Sequence, residues 1–275
     1  MKTLKNQTLL YDEDCPLCRV YTDGFVKTKM LDANGRKPFH QISEDDVQFV
    51  DLKRATNEIA LIDNKNKTVI YGVDSLLKII GNTVPWIEKI GKTGLIYFML
   101  KKLYAFVSYN RKVIIPSDIN DTHKMQCIPK YNIKYRLLYI LFCVLTTTFV
   151  LFEFSKLLTF LPKSSIFMEL ILATGQIGFQ SIFLLKKSTE TIINYFGNLM
   201  TVSLMGSILL MPLLIWNSVT NLPELIILAW FGMTIILMFL EHFRRVKLLQ
   251  LPNYLCHTWV IYRFLALILI LNLIS

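Results

Sequence analysis

The chain has 275 residues, 53% of them hydrophobic, and a net charge of +10. The charge is unevenly laid out, with 19 Lys/Arg against 15 Asp/Glu through Pro129 but 11 against only 5 beyond it. Apolar stretches of about 20 residues follow Tyr135, long enough to cross roughly 30 Å of hydrocarbon at about 1.5 Å per residue, which excludes a wholly soluble protein. The less apolar first part is the size of one small domain, so the chain reads as one soluble domain joined to one membrane domain.

In chain order, residues 1–11 begin with charge but carry an apolar run of only Leu9, Leu10 and Tyr11 before three acids, which does not read as a signal peptide. Residues 8–12 predict a short buried strand that runs straight into a helix over 16–30, interrupted at Gly24. Residues 37–42 read as extended, 44–54 as a helix capped by Ser43 with acids in its first turn, and 58–63 as a strand. A polar turn at 64–67 leads to a second strand over 68–71. Gly72 closes that hairpin, and a helix over 73–80 stops at Gly81. The order βαβαββα predicts an α/β thioredoxin-like domain, a small sheet covered by helices on both faces.

Residues 85–109 are helical, with Trp86, Ile90, Ile96, Leu100, Leu103 and Val107 at mostly helical spacing and Lys89, Lys92, Lys101 and Lys102 interleaved. Two readings stand side by side: a helix packed on the domain with solvated lysines, or an interfacial helix whose partner is membrane lipid. The soluble domain is expected over 1–115, a linker over 116–134 and the membrane domain over 135–275.

The membrane domain is expected to be an all-α transmembrane bundle of about five helices, over 137–154, 166–185, 191–216, 222–240 and 258–274. Lys130, Lys134 and Arg136 precede the first, Lys186 and Lys187 separate the second and third, and Arg244, Arg245 and Lys247 separate the fourth and fifth. The intervening loops carry only Lys156 and Lys163. The positive-inside rule then places the amino-terminal domain in the cytoplasm and the carboxyl end outside, in a bacterial-type inner membrane. That rule also accounts for the basic balance of this half, and no nucleic-acid footprint is present. Gln176 and Gln180 share a face of one helix and Asn194 and Asn198 of the next. Such pairs either hydrogen-bond between helices or line a cavity for a small molecule such as a quinone. Glu153 and Glu169 are expected to reach the interface, His242 and His257 to flank a loop, and Cys143 to be a small apolar core residue.

Five cysteines, at 15, 18, 127, 143 and 256, are too few for a disulfide scaffold in a chain this long, and two of them form one Cys-x-x-Cys. That pair lies in Tyr11-Asp12-Glu13-Asp14-Cys15-Pro16-Leu17-Cys18, at the expected strand-to-helix junction. A cysteine at a helix amino terminus faces unpaired N–H groups and the positive end of the dipole, which favour thiolate. Cys15 is therefore the expected nucleophile. Cys18, one turn on, is placed to attack a mixed disulfide on Cys15. Asp12 and Asp14 either oppose the thiolate, relay the Cys18 proton or cap the helix. Two bland readings compete: half of a zinc site completed by His123 and Cys127, and a pair of inert reduced cysteines. Cys127 itself, on the linker, is either a stray thiol or a third one within reach of Cys15.

Asp12-x-x-Cys15-x-x-Cys18, with Tyr11 and Pro16, resembles the signature of the DCC family of predicted thiol-disulfide oxidoreductases. Ile70-Tyr71-Gly72-Val73-Asp74-Ser75, Pro85-Trp86 and Tyr109-Asn110-Arg111 are similar to further segments of that family, and the resemblance covers about residues 7–115. It implies a thioredoxin-like fold and a dithiol site at Cys15 and Cys18, with no cofactor beyond the redox-active disulfide. The chain departs from the family at Glu13, where glycine is commonest. It also lacks the proline that thioredoxins place just before the strand at 58–63, so substrate binding is expected to differ from theirs.

The function expected is a membrane-anchored thiol-disulfide oxidoreductase acting on a protein or small-molecule thiol or disulfide, with electron exchange to a membrane carrier as an extension. The alternative is a non-enzymatic binding, regulatory or metal-binding module on a sensor or transporter bundle.

Overall fold

The computed structural model describes residues 2–117, 127, 129–159 and 162–272. The chain falls into two compact units, Met1–Tyr135 and Arg136–Ser275. Most of the expected linker, His123 included, and the last residues of the final expected span lie outside the described residues.

Four strands form the sheet of the first unit: β1 (Gln7–Tyr11), β2 (Arg36–Pro38), β3 (Ala60–Asp63) and β4 (Thr68–Tyr71), in the order β2-β1-β3-β4. β1 is parallel to β2, and β3 is antiparallel to both β1 and β4. Leu9 sits opposite Leu61 and Leu10 opposite Ala60. Successive side chains alternate faces, so Leu9 joins an apolar cluster with Leu31, Leu61 and Ile79, and Leu10 joins another with Phe39, Val50 and Ile62. A strand buried on both faces is continuously apolar, which is why Leu9-Leu10-Tyr11 stands out in a polar stretch.

α1 (Pro16–Lys27) begins within one turn of β1, with Pro16 at its first position, where a missing N–H removes nothing. The helix expected over 44–54 is instead two single turns, α2 (Glu44–Val47) and α3 (Leu52–Ala55). Ser43 accepts from the Asp46 amide at 3.3 Å and Asp51 from the Arg54 amide at 3.0 Å. The second cap restarts the helix inside the stretch. At the hairpin turn the Asp63 carboxylate accepts from the amides of Lys65 and Asn66, at 2.9 and 3.0 Å. Gly72 then takes φ +61, where a Cβ would meet the Glu58 carboxylate at 2.8 Å. The positive φ is what favours glycine there, since the Glu58 side chain could swing aside.

α4 (Val73–Thr83) runs through Gly81, where the sequence signals a stop, and ends only at the approach to Pro85. The region 85–109 divides into α5 (Pro85–Gly91) and α6 (Gly94–Ile114). One face of α6 is tied to the domain: the Tyr97 hydroxyl donates to Asp74 at 2.9 Å, and the Tyr104 hydroxyl accepts from the Ile59 amide at 2.9 Å. Trp86, Leu95, Phe98, Met99 and Leu103 are exposed. One face of this region is therefore packed on the domain, and the other carries exposed apolar side chains.

The second unit contains α7 (Ile133–Ser155, which starts just before the boundary), α8 (Ile166–Ile182), α9 (Thr189–Val219), α10 (Glu224–Leu248) and α11 (Tyr254–Asn272). Four of them, all but α8, are long and apolar enough to cross a membrane. The second of the five expected spans is a shorter apolar helix of 17 residues, about 25 Å at 1.5 Å per residue. Its role follows from its neighbours. Tyr139 bonds Thr201 at 2.9 Å and Ser207 bonds Thr147 at 3.4 Å, so α7 and α9 run parallel. Parallel helices in sequence require a return between them, and α8 is that return. It lies antiparallel to α11, through Thr258 to Gln180 at 3.1 Å and Tyr262 to the Leu172 carbonyl at 2.8 Å. α9 and α10 are likewise antiparallel, through Tyr195 to His242 at 3.2 Å and Trp230 to the Leu209 carbonyl at 2.8 Å.

The second unit departs from the sequence expectations at three places. α10 continues to Leu248, so Arg244, Arg245 and Lys247 ride on its last turns rather than in a loop. Arg245 is buried, donating to Asn198 at 2.9 Å and to Glu241 at 2.8 Å. His242 is fully buried against Tyr195, not interfacial, and Glu169 is buried and accepts from Ser164 at 2.6 Å. Cys143 is buried in α7, as an apolar core residue would be.

Candidate functional site

The site lies where β1 ends and α1 begins, at the carboxyl end of the central strand. Asp12 leaves the strand buried, and its Oδ1 accepts from the Asp14 amide at 3.1 Å. This Asx-type turn, with the Cys15 amide donating to the Asp12 carbonyl at 3.3 Å, folds the chain back. Cys15 thereby becomes the residue that begins α1, and no side chain caps the helix. The capping role considered for Asp12 or Asp14 is therefore not the one they take.

Cys15 and Cys18 are both buried and not bridged to one another, in a small cluster with Tyr11 and with Leu17 and Tyr21 against it. A hydrogen bond from Cys18 holds the Cys15 thiol down to about 6, helped by the Arg111 charge and opposed by burial and by Asp12. Cys18 moves the other way: donating that bond, together with burial, raises it far above the ordinary thiol range. The helix start and the neighbouring thiol act in the same direction on Cys15. The two shifts run in opposite directions, favouring thiolate at Cys15 and the proton on Cys18.

Beneath the pair lies a residue to which sequence reasoning gave no role. Arg111, on the last turn of α6, is buried and donates from Nη2 to Asp12 Oδ2 at 3.1 Å. The same nitrogen meets the Thr56 carbonyl at 3.0 Å, the Cys127 carbonyl at 3.1 Å and the Cys127 sulfur at 3.4 Å. Lys112 Nζ lies 3.5 Å from the same Asp12 oxygen. Cys127 is buried beside the carbonyls of Ala55 and Thr56, each 3.7 Å from its sulfur. Burial pushes its thiol up to about 12 despite the Arg111 charge. Among the lining residues of a cavity of about 10 Å³, room for one water, are Asp12, Cys18, Glu58, Arg111 and Cys127.

The structure therefore brings Cys15, Cys18 and Asp12 together and adds Arg111 and Cys127 to them. Asp14 is held through its backbone, its amide on Asp12 and its carbonyl accepting from Ser117. Glu13 lies 3.6 Å from His40 Nε2. The zinc set named from sequence needs His123, outside the described residues, and its Cys127 sulfur already faces the Arg111 guanidinium. Comparison of the chain with protein-family models, with curated proteins and with solved structures found no match.

Proposed function

We propose that the first unit is a thioredoxin-like thiol-disulfide oxidoreductase in which Cys15 attacks and Cys18 resolves. The observation that carries this reading is the asymmetry of the buried pair: Cys15 opens α1 and accepts a hydrogen bond from Cys18, one turn further on. In the reaction, Cys15 thiolate attacks one sulfur of a partner disulfide, that S–S bond breaks, and the first partner sulfur leaves as thiolate. Cys18 then loses its proton to that thiolate or to solvent and attacks the Cys15 sulfur of the mixed disulfide. The second partner thiolate leaves, the Cys15–Cys18 disulfide forms, and the partner has gained two electrons.

The sheet order β2-β1-β3-β4, with β1 and β2 parallel and β3 and β4 antiparallel, is the arrangement expected of a thioredoxin-like domain. The resemblance to the DCC family supports the same reading. The loop before β3, where thioredoxins use a proline, instead offers carbonyls of Ala55, Thr56 and Asn57 that Cys127, Arg111 and Ser108 occupy. The partner is a protein or small-molecule disulfide that engages this loop differently. No cofactor beyond the disulfide is needed.

The protein sits in a bacterial-type inner membrane, crossed five times, with the dithiol unit cytoplasmic and the carboxyl end outside. The parallel pairing of α7 and α9 supports counting α8 as a crossing. The exposed apolar side chains of α5 and α6, among Lys89, Lys92, Lys101 and Lys102, suit contact with lipid headgroups.

The non-enzymatic alternative, a metal-loaded module, is separated by one experiment. Purified protein equilibrated in dithiothreitol redox buffers is expected to show one two-electron couple at Cys15 and Cys18, with zinc far below one equivalent. Stoichiometric zinc released only when Cys15 and Cys18 are alkylated would replace this reading with the metal-binding one.

A further inference from the structure

Polar side chains gather at one level of the second unit. The Tyr195 hydroxyl lies 3.2 Å from His242 Nε2, the His242 ring is 5.7 Å from that of Trp259, and the Arg263 guanidinium is 5.3 Å from the Trp259 ring centroid. Gln176 enters from α8 between two ties to α11, Gln180 to Thr258 and Leu172 to Tyr262. Residues 172, 176 and 180 share a helix face, so Gln176 faces the stretch that holds Trp259 and Arg263.

These groups are not satisfied by one another. Among the described residues, no partner meets either amide atom of Gln176, Nδ1 of His242, Nε1 of Trp259 or Nε of Arg263, although each atom is buried. Gln176, His242 and Trp259 are exposed by only 1%, 0% and 2%. Buried polar atoms are nearly always paired, and hydrocarbon supplies no water to stand in. Gln176 Nε2, Trp259 Nε1 and Arg263 Nε can only donate and Gln176 Oε1 can only accept, so donors predominate and whatever completes the cluster is rich in acceptors. Arg245, the other arginine near His242, already donates to Glu241 and Asn198. Arg263, among three flat rings, is then the arginine left for a ligand, and this suits a planar carbonyl compound better than a phosphate, which calls for clustered cations.

We propose that this cluster binds the dicarbonyl head ring of a membrane-soluble quinone, its oxygens accepting from Gln176, Trp259 and Arg263. The site stands on the helices of the second unit alone and does not depend on the dithiol chemistry.

The test uses the full-length protein in phosphatidylcholine nanodiscs, titrated with ubiquinone-1, with bound quinone read by equilibrium dialysis. Saturable binding is expected, about tenfold weaker in Gln176→Leu and in Trp259→Phe. The Cys15→Ser/Cys18→Ser variant should bind as the wild type does, which separates this proposal from the dithiol reading. Gln176→Leu keeps the volume and removes an unpaired amide, so its Tm should rise as its affinity falls. A raised Tm with unchanged affinity would make Gln176 merely structural and overturn the proposal, as would the absence of saturable binding in the wild type. Loss of ubiquinone-1 binding on adding phosphatidylglycerol would assign the cluster to a lipid phosphate and equally overturn it.

Discussion

Arg111 and Asp12, 99 residues apart in sequence, meet at 3.1 Å with side-chain exposures of 5% and 3%. Two charges buried this deeply are stable only as a pair, and each fixes what the other can do for the thiols beside them. Removing Asp12 leaves Arg111 without its carboxylate, and removing Arg111 leaves Asp12 only the more distant Lys112. Arg111→Met should therefore destabilise the protein by about 3 kcal/mol, the low end for a broken buried pair, because Lys112 stands 3.5 Å from the same carboxylate oxygen. The double change Asp12→Asn with Arg111→Met should recover much of that loss. Urea unfolding of the full-length protein in detergent measures both.

The same arginine enters the chemistry through charge. With Cys15 held down to about 6, the thiolate fraction rises with pH through that value and saturates above it. Alkylation of reduced Cys15 by iodoacetamide, followed by mass spectrometry, should climb between about pH 5 and 7 and flatten by about pH 8. An ordinary thiol would still be climbing there. Arg111→Met removes an attraction that favours thiolate, so its midpoint should move upward.

Cys127 should behave as the opposite kind of thiol. Burial pushes it up to about 12, so it should be the slower of the two to alkylate at neutral pH. Air oxidation should yield mainly Cys15–Cys18 with a minor Cys15–Cys127 linkage, and Cys127→Ala should leave the Cys15–Cys18 potential unchanged. A non-reduced digest with Cys127 in its dominant linkage would make it a third catalytic thiol.

Topology can be read with reporters. Five crossings place a fusion at the carboxyl terminus outside and one at Lys186 inside, whereas four crossings without α8 leave both chain ends on one side. Active reporters of the same kind at both positions would remove the five-crossing arrangement.

What could be read from the sequence was local. The apolar run of β1 meeting Pro16 fixes the strand-to-helix junction, and with it the position of Cys15, because both signals lie within ten residues. The split between α2 and α3 was harder, since Asp51 competes with a helical pattern that runs across it. Arg111 was beyond local reading altogether: on α6 it resembles any basic residue near a helix end, and only the tertiary fold carries it to Asp12. Within the membrane unit, Arg263 does carry its own signal, a cation inside a 19-residue apolar helix. His242 does not, because its burial depends on α10 running a further two turns past the expected end.

The order of attack, Cys15 first and Cys18 second, is tested most directly by trapping. Full-length Cys18→Ser and Cys15→Ser variants, expressed in cells and acid-quenched, would be compared for mixed disulfides on non-reducing gels with mass spectrometry. Cys18→Ser should accumulate partners linked through Cys15, because the resolving attack is lost, and Cys15→Ser should trap none. Equal trapping by the two variants, or trapping through Cys18 alone, would contradict the assignment of Cys15 as the attacking thiolate.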